Sequence, residues 1–389
     1  MVAGCAAPAT EMKANPTAAY MDARTVLLRD ADDKDPVVRC NAMESLASVE
    51  DAAATGAMMQ GLKDSSPVVQ FSAAMSLGDC RYAPAHQPLL AMAQNPATDR
   101  SVQCATLYAL HRLGDDSHTG QLGRLLFDDS PDVRANAALA MGKLGDESAI
   151  RPLKSLVAEE HDLKVRLQAR ESLTALGDDN SLTFLRVCAR AGLPEEQMMV
   201  IQALGRTKSE QVQGILLWAL RPDAKHEPML RVAAAIALAR TGDMRGYDLI
   251  LSSARDPQMP VRLFFDKGPE DPVMQRYIVQ LQSLSALGLG VMDKKPAVDD
   301  LLPLLRSPEG TVRVAAARSV LQLLSSYRAF VGDSASPAPA PAADTAESPQ
   351  APQQPSSAPA SQPASQPASG PAQDVILCDP VLNTAPALD

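Results

Sequence analysis

Side chains that commonly catalyse reactions or hold metals are scattered along this chain and form no recognised motif. The six cysteines include no C-x-x-C pair, so neither a zinc site nor a disulfide framework is indicated. No phosphate-binding loop, dinucleotide fingerprint or nucleophile elbow is present. The five histidines show no ligand spacing, and they lie at His86, His111, His118, His161 and His226. From these residues we predict no catalytic site, no metal site and no cofactor.

One arginine recurs at a fixed position of a repeated pattern, as Arg39, Arg134, Arg166, Arg231, Arg262 and Arg313. An arginine repeated in most units can pair with turn carboxylates and with the unsatisfied carbonyls of helix ends. We therefore interpret the series as a ladder between neighbouring units. A row of anion-binding arginines is the alternative.

Four further cations recur in the last turns of the predicted helices, as Arg112, Lys143, Arg206 and Arg240. A cation in that place complements the helix dipole, which contributes about 0.3–1 kcal/mol. The alternative is a basic edge that binds an acidic partner, for example the acidic C-terminal tail folded back in cis. We keep the four as candidate partner-binding residues.

Phe264 and Phe265 are the other candidates for specific contacts. They stand at a break in the helical pattern, because Gly268 and Pro269 must end a helix soon afterwards. The stretch 256–272 is either an inserted loop whose aromatic rings pack onto neighbouring units or a binding loop.

These residues are positioned by a helix whose pattern is clearest at 129–146, DSPDVRANAALAMGKLGD. Val133 begins an apolar stripe at helical spacing. Pro131 suits the first turn, with Ser130 as the N-cap, and Gly145 suits the left-handed residue that ends a helix.

The anchor residue of this helix has equivalents along most of the chain. The intervals between anchors are 31, 33, 31, 32, 31, 34 and 31 residues up to Val261, and a last interval of 51 contains an insertion. Each interval also carries an earlier helix, so the unit is a helical hairpin that must stack on others to bury its stripe. We predict an all-α solenoid of about nine units over residues 20–330. The anchors are Val38, Val69, Val102, Val133, Val165, Glu196, Leu230, Val261 and Val312.

The unit D-x-x-P-x-V-R-x-x-A-x-x-A-L-G-x-x-G-D resembles HEAT repeats, in particular the short phycobilisome-lyase-like type. The resemblance covers roughly residues 20 to 328. It implies a HEAT-type α-α superhelix whose second helices line a concave face. Glu196 in place of an apolar anchor, and Gln70, Gln103 and Gln197 in place of arginine, depart from the pattern, so we expect those units to be less regular.

Two kinds of enzyme are built on such repeats. Deoxyhypusine hydroxylase holds iron with several His-Glu pairs at equivalent repeat positions, whereas His226-Glu227 is the only such pair in this sequence. Bilin lyases attach a chromophore with the same repeat type, and that activity is our alternative hypothesis. We predict instead a non-enzymatic scaffold or adaptor that binds a protein or peptide along the concave face.

The N-terminal residues Val2-Ala3-Gly4-Cys5 resemble the lipobox of bacterial lipoproteins, in which the cysteine is acylated. The basic and apolar regions of a signal peptide are missing from the sequence. Two explanations stay open. Either the true start lies upstream and Cys5 is a lipid anchor in the bacterial envelope, or the match is accidental and the protein is cytoplasmic. Residues 1–19 are a spacer in both cases.

Composition defines the remaining segments and partners. Residues 331–373 are rich in Pro, Ala, Ser and Gln, which predicts a disordered linker. The apolar peptide 374–389 is typical either of a docking peptide or of an end without a role. The net charge of −10 argues against nucleic-acid binding, and no apolar run approaches the ~18 residues of a membrane span. We expect a monomer.

Overall fold

The computed structural model describes residues 11–330 except residues 50, 193, 208–209, 223–225 and 266–267. Every regular element in this part of the chain is an α-helix or a short 3-10 helix, which confirms the predicted all-α class. The α-helices are α1 (Pro16–Asp30), α2 (Pro36–Leu46), α3 (Ala52–Gly61), α4 (Pro67–Asp79), α5 (His86–Gln94), α6 (Arg100–Arg112), α7 (Thr119–Leu125), α8 (Pro131–Leu144), α9 (Ile150–Glu159), α10 (Leu163–Ala175), α11 (Asp179–Ala191), α12 (Pro194–Leu204), α13 (Gln213–Leu220), α14 (Pro228–Ala239), α15 (Tyr247–Arg255), α16 (Gln258–Phe264), α17 (Pro272–Val291), α18 (Val298–Leu301) and α19 (Gly310–Leu323).

Helix α8 shows how the repeated pattern forms its helices. Pro131 occupies the first turn, and Gly145 ends the helix with φ 74°, in the left-handed region that favours glycine. The predicted side-chain cap from Ser130 is absent, and the Ser130 N–H donates to Asp128 Oδ1 at 2.9 Å within the turn. Val133 is 5% exposed and begins the buried stripe that the spacing predicts.

The hairpins form two layers, and the inner layer is circular. Its members α2, α4, α6, α8, α10, α12, α14, α17 and α19 each pack on the next in that order, and α19 packs on α2. Helix α1 lies between α19 and α2, in the same way that other outer helices lie between consecutive inner ones. The predicted solenoid is confirmed, but its ends meet. A closed ring with an interior therefore replaces the expected open superhelix with a long groove.

The arginine ladder joins neighbouring units of this ring. Arg39 Nη2 lies 2.8 Å from Asp64 Oδ1, and Arg134 Nε lies 2.6 Å from Glu160 Oε2. Each acid stands in the turn after the outer helix of the following unit. The same guanidinium groups also donate to backbone carbonyls of their own turns, as Arg134 Nη1 does to Asp128 O at 2.8 Å. The ladder interpretation therefore describes these two units.

The contact that closes the ring repeats this ladder geometry. Arg313 of α19 lies 2.9 Å from Asp30 Oδ2 through Nε and 3.1 Å from Asp33 Oδ2 through Nη2. Those acids stand at the end of α1 and in the turn after it. The last unit therefore contacts the first unit in the way that Arg39 and Arg134 contact the unit that follows each of them. A Cβ built on Gly310 would lie 2.4 Å from Val38 Cγ2, which shows how closely α19 approaches α2. Closure therefore uses packing as tight as that within the ring.

Three arginines of the series depart from the ladder. Arg166 lies over an aromatic ring at 5.8 Å, and Arg231 Nε donates to a backbone carbonyl at 3.4 Å. Arg262 is exposed on α16 and donates to Gln258 Oε1 at 2.8 Å, within its own helix. The predicted ladder is thus incomplete on this side of the ring.

Close approach between inner helices depends on recurrent glycines. A Cβ on any of four glycines would lie 2.4–2.7 Å from the nearest atom of the next inner helix. Because real Cβ atoms essentially never come so close, these positions exclude larger residues. The pairs are Gly78 with Ala109, Gly142 with Ser172, Gly205 with Ala237, and Gly290 with Ser319.

The glycine contact also corrects the register of the eighth unit. In the unit of α8 the anchor Val133 lies nine positions before Gly142. Gly290 lies on α17, and the residue nine positions before it is Leu281. Leu281 is therefore the anchor of this unit, and Val261 belongs to the inserted helix α16. The long interval therefore lies before α17 and not after Val261, because α16 already ends at Phe264.

The described chain begins and ends beside the closure. Helix α1 starts at Pro16 rather than at residue 20, and the N–H groups of Lys13 and Ala14 donate to the Asp299 carboxylate, both at 2.9 Å. Cys5, the linker 331–373 and the peptide 374–389 lie outside the described residues. Among the helices that the structure describes, none is both long enough and apolar enough to cross a membrane.

Candidate functional site

A cavity of about 160 Å³ lies inside the ring. Its walls come from two groups of inner helices, α2 with α4 and α8 with α10 and α12. The two groups are separated in the circular order by α6 on one side and by α14, α17 and α19 on the other. A cavity that both groups line must therefore be on the inner side of the ring.

One wall of the cavity is apolar. Phe71 and Met75 project from consecutive turns of α4, and Leu139 projects from α8. Phe71 is 9% exposed and Met75 is 1% exposed, so this wall continues into the core between the hairpins. Ala175 and Ala203 also line the cavity, and their short side chains leave the space open.

The cavity also has a charged wall. Glu171 of α10 forms an ion pair with Arg206, which follows α12, and Gln168 Nε2 donates to Glu171 Oε2 at 3.5 Å. Glu44 of α2 reaches the same cavity with its side chain buried and accepts a hydrogen bond from Ser72 Oγ at 3.3 Å. The cavity therefore brings carboxylates and a guanidinium group together with an apolar surface.

Lys143 connects this cavity to a second polar cluster. Its Nζ lies 3.0 Å from Asp79 Oδ2 at the end of α4 and 5.3 Å from the centre of the Tyr108 ring. Tyr108 OH donates to Asp79 Oδ1 at 2.5 Å. Burial and the nearby Asp79 carboxylate raise the pKa of Tyr108, so the phenol stays protonated and acts as the donor. The cluster joins α4, α6 and α8 across the inner face of the ring.

The four predicted partner-binding cations are not on an exposed edge. Lys143 and Arg206 line the cavity and are 19% and 16% exposed, each in an ion pair with an acid of the ring. Arg112 and Arg240 are half-buried at the ends of α6 and α14. The edge was expected on the surface because helix ends in an open solenoid face solvent, whereas in the closed ring Lys143 and Arg206 line the cavity. Binding of a partner by these four residues stays a prediction.

The comparison with protein families identifies the repeated unit. The family model for HEAT repeats matches residues 24–101 and 87–174.

Residues 24–174 are HEAT repeats. The match does not distinguish subtypes of the repeat, so the phycobilisome-lyase-like type stays a prediction. The family model covers the first part of the ring. The later units share its geometry of inner and outer helices, as the contacts of α12, α14, α17 and α19 show.

A curated relative is deoxyhypusine hydroxylase of Schizosaccharomyces pombe. It is 33% identical over 92 residues, which are 23% of this chain and 29% of that protein. The match thus spans less than a third of the relative. The solved structure of human deoxyhypusine hydroxylase in complex with glycerol covers 69% of this chain and 99% of its own, at 20% identity and a TM-score of 0.32.

The curated match corrects the predicted function. The prediction of a non-enzymatic scaffold or adaptor is wrong in the light of the curated match, because the protein that it names is an enzyme. The matched segment is short, and it does not establish an activity for this chain. That this chain is not an enzyme, and that it binds a protein or peptide partner as a monomer, both stay predictions.

The described HEAT repeats do not fit a metal centre. Within residues 11–330, leaving aside the gaps given above, no group of three or more His, Cys, Asp or Glu side chains is placed to hold a metal ion. His226, of the lone His-Glu pair, packs edge-on against Trp218 with ring centres 4.3 Å apart. We therefore derive no step that uses a bound metal.

Phe264 and Phe265 stand together at the end of α16, as predicted for the inserted stretch. Phe264 is 38% exposed. Phe265 is half-buried between Phe264 and Tyr277, with ring centres 4.9 and 5.0 Å apart in edge-to-face geometry. Packing onto the neighbouring unit therefore accounts for Phe265, whereas Phe264 remains accessible.

The sequence did not single out Glu44, Glu171 or Tyr108, which contribute most to the interior. All three occupy the position six residues after the anchor, where Met75 and Leu139 stand in other units. A position that alternates between apolar and charged residues was the available signal. This alternation could not be interpreted from sequence, because residues at that position in distant units come together only when the ring closes.

Proposed function

We propose that this chain binds a small zwitterionic ligand with an apolar side chain, of the amino-acid class, in the cavity inside the ring. The observation that supports it is the composition of one cavity, which is lined by the apolar Phe71, Met75 and Leu139 and by the charged Glu171 and Arg206. A ligand with an apolar body and both charges would match each part of this lining.

The charged wall supplies partners for both ends of such a ligand. An arginine has five N–H donors, so Arg206 can bind a ligand carboxylate and keep its bond to Glu171. A ligand ammonium would lie between the carboxylates of Glu171 and Glu44. Because Glu44 is buried and Glu171 and Arg206 are half-buried, these charge-assisted bonds are stronger than they would be on an open surface.

The size of the cavity limits the ligand. A cavity of about 150 Å³ in another protein holds a benzene molecule. The 160 Å³ available here suits a ligand of about amino-acid size and excludes a dinucleotide or a large cofactor.

Calorimetric titration of the full chain with L-leucine, N-acetyl-L-leucine, L-leucinamide and glycine tests the proposal. L-leucine should bind, whereas loss of its positive charge, its negative charge or its side chain should each weaken binding by at least about tenfold, which is about 1.4 kcal/mol. At 100 times its Kd, L-leucine should stabilise the fold by about 2.7 kcal/mol, seen as a rise in Tm. Equal binding of all four compounds, or no binding of L-leucine, would rule the proposal out.

A pair of variants separates cavity binding from surface binding. Leu139→Trp fills the cavity from the apolar wall, so it should abolish L-leucine binding. Val187→Trp places the same side chain on the outer helix α11, where Val187 is 61% exposed, and should leave binding unchanged. The Tm of each variant without ligand shows that it is folded. If Leu139→Trp binds L-leucine as the wild type does, the cavity is not the site.

A further inference from the structure

The largest group of exposed apolar side chains in the described chain lies on the insertion before α17. We name it the insertion patch and define it by Met259, Leu263, Phe264 and Val273, which are 60%, 80%, 38% and 53% exposed. The first three project from α16 and the fourth from the first turn of α17. Four large apolar side chains left in water on two adjoining elements are unfavourable unless something covers them.

The patch is rigidly supported although its surface is exposed. Val261, on the opposite side of α16, is fully buried, and α16 packs against α14, α15 and α17. Phe265 and Tyr277 form the aromatic contact that ties the end of α16 to α17. The exposed face therefore belongs to a helix that is packed on its neighbours and is not a frayed end.

Two exposed arginines border the insertion patch, and the exposed Glu270 lies in the turn before α17. Arg262 and Arg276 are both exposed and stand beside Leu263 and Val273 respectively, on the same two helices. Arg262 uses one N–H to reach Gln258 within its own helix, which leaves further donors directed to solvent. An occupant with apolar residues and flanking carboxylates would fit this surface.

We propose that the C-terminal segment 374–382, DVILCDPVL, covers the insertion patch in cis. Its apolar residues are bracketed by Asp374 and Asp379, and residues 374–389 contain no Lys or Arg. The apolar side chains then lie on Leu263 and its neighbours, while the carboxylates face Arg262 and Arg276. This location differs from the basic edge predicted from sequence, where Lys143 and Arg206 already pair with acids of the ring.

The intervening segment is long enough to reach. The described chain ends at the 3-10 helix Ser325–Phe330, which lies against α1, and α1 packs on α19, which packs on α17. At 8–10 Å between packed helices, the patch is on the order of 20–30 Å away. A flexible segment with the length of 331–373 has an r.m.s. span of about 35 Å, and its prolines extend it further.

Hydrogen exchange measured by mass spectrometry on the full chain tests the proposal. Leu377→Asp places a charge in the apolar part of the segment and should raise exchange in 258–265 by about threefold or more. Leu263→Asp, on the patch, should likewise raise exchange in 374–382; the wild-type residue is 80% exposed, so the ring still folds. Ala360→Asp in the linker and Val187→Asp on α11 are the matched controls and should change neither segment.

Two outcomes would overturn the proposal. One is exchange in both segments that Leu377→Asp and Leu263→Asp leave unchanged. The other is protection that grows with protein concentration, together with a dimer in sedimentation, because the occupant would then come from a second copy. Protection that is independent of concentration, and that both substitutions remove, supports docking in cis.

Discussion

At the scale of single residues, the close spacing of inner helices depends on glycines, which have no side chain. Gly142 allows α8 to touch α10 so closely that a Cβ there would lie 2.5 Å from Ser172 Cβ and 2.9 Å from its Cα. The second of these atoms is backbone, so the clash is relieved only by moving a helix. Glycine in a helix interior is otherwise unfavourable, which indicates that this contact offsets its conformational cost.

Gly142→Ala should therefore destabilise the ring, by about 1–3 kcal/mol, because overpacking outweighs the gain in helix propensity. Gly123→Ala is the matched control. It makes the same change within α7, where a Cβ would meet nothing within 4 Å, and should stabilise by about 0.5–1 kcal/mol. Urea unfolding of both variants measures the two effects. Equal changes of the same sign would contradict the packing argument.

At the scale of secondary-structure elements, the ladder makes the turns between units sensitive to acid. Burial acts to raise the pKa of Glu160, but the bonds from Arg134 and from turn N–H groups outweigh it, and the net pKa lies below its ordinary value. The same balance, with Arg39 as the donor, lowers the pKa of Asp64. A carboxyl with a lowered folded pKa stabilises the fold above its unfolded value and loses that contribution as pH falls.

Glu160→Gln should lower stability at pH 7 by about 2 kcal/mol, because Arg134 loses a charged partner. The same variant should lose less additional stability than the wild type between about pH 5 and pH 2, since one proton-linked group is gone. Glu159→Gln, on the exposed adjacent residue, should follow the wild-type curve. Thermal unfolding across this pH range tests the prediction, which fails if both variants show the same pH dependence.

At the scale of the whole molecule, closure decides what the repeats can do. An open row of HEAT repeats has two terminal units with uncovered apolar faces, which must be capped. In this chain α1 and α19 cover each other, with Arg313 bonded to the buried Asp30. This contact between the first and last units buries both ends of the row and closes the ring around the cavity.

Arg313→Glu should open the ring, because it places a third carboxylate beside Asp30 and Asp33. Removing one partner of a buried pair costs about 3–5 kcal/mol, and the radius of gyration in solution scattering should rise as the ends separate. Arg151→Glu is the control: it makes the same change on an exposed side chain of the outer helix α9, outside the ladder. A folded Arg313→Glu variant with an unchanged radius would show that other contacts suffice for closure.

The parts of the fold that depend on contacts within a hairpin or between neighbouring hairpins were predictable from sequence. The anchors from Val38 to Leu230 mark real helices, because an apolar stripe at helical spacing determines its own element and that of its neighbour. Val261 kept the period and was nevertheless assigned to the wrong unit. Its helix α16 ends at Phe264, and only the contact of Gly290 with Ser319 reveals the register.

The interior was not predictable, because it depends on how small rotations between units add up. Arg313 and Asp30 are at opposite ends of the described chain, and no pattern in the sequence links them. Glu44 and Glu171 line one cavity only because α2 and α10 face the same interior. The same holds for the predicted cations. Their shared repeat position could be read from sequence, whereas the surroundings of Lys143 and Arg206 depend on closure of the ring.

Because α1 packs on α19, the order of the hairpins along the polypeptide can be changed without changing the ring. The segment Ser325–Phe330 already lies against α1, so a short peptide from there to Lys13 would join the two ends without disturbing a hairpin. The chain can then be cut in any turn between units, such as the one at Gly177, and the circularly permuted protein should assemble the same architecture. Which hairpin comes first is then set by the order of translation and not by the packing.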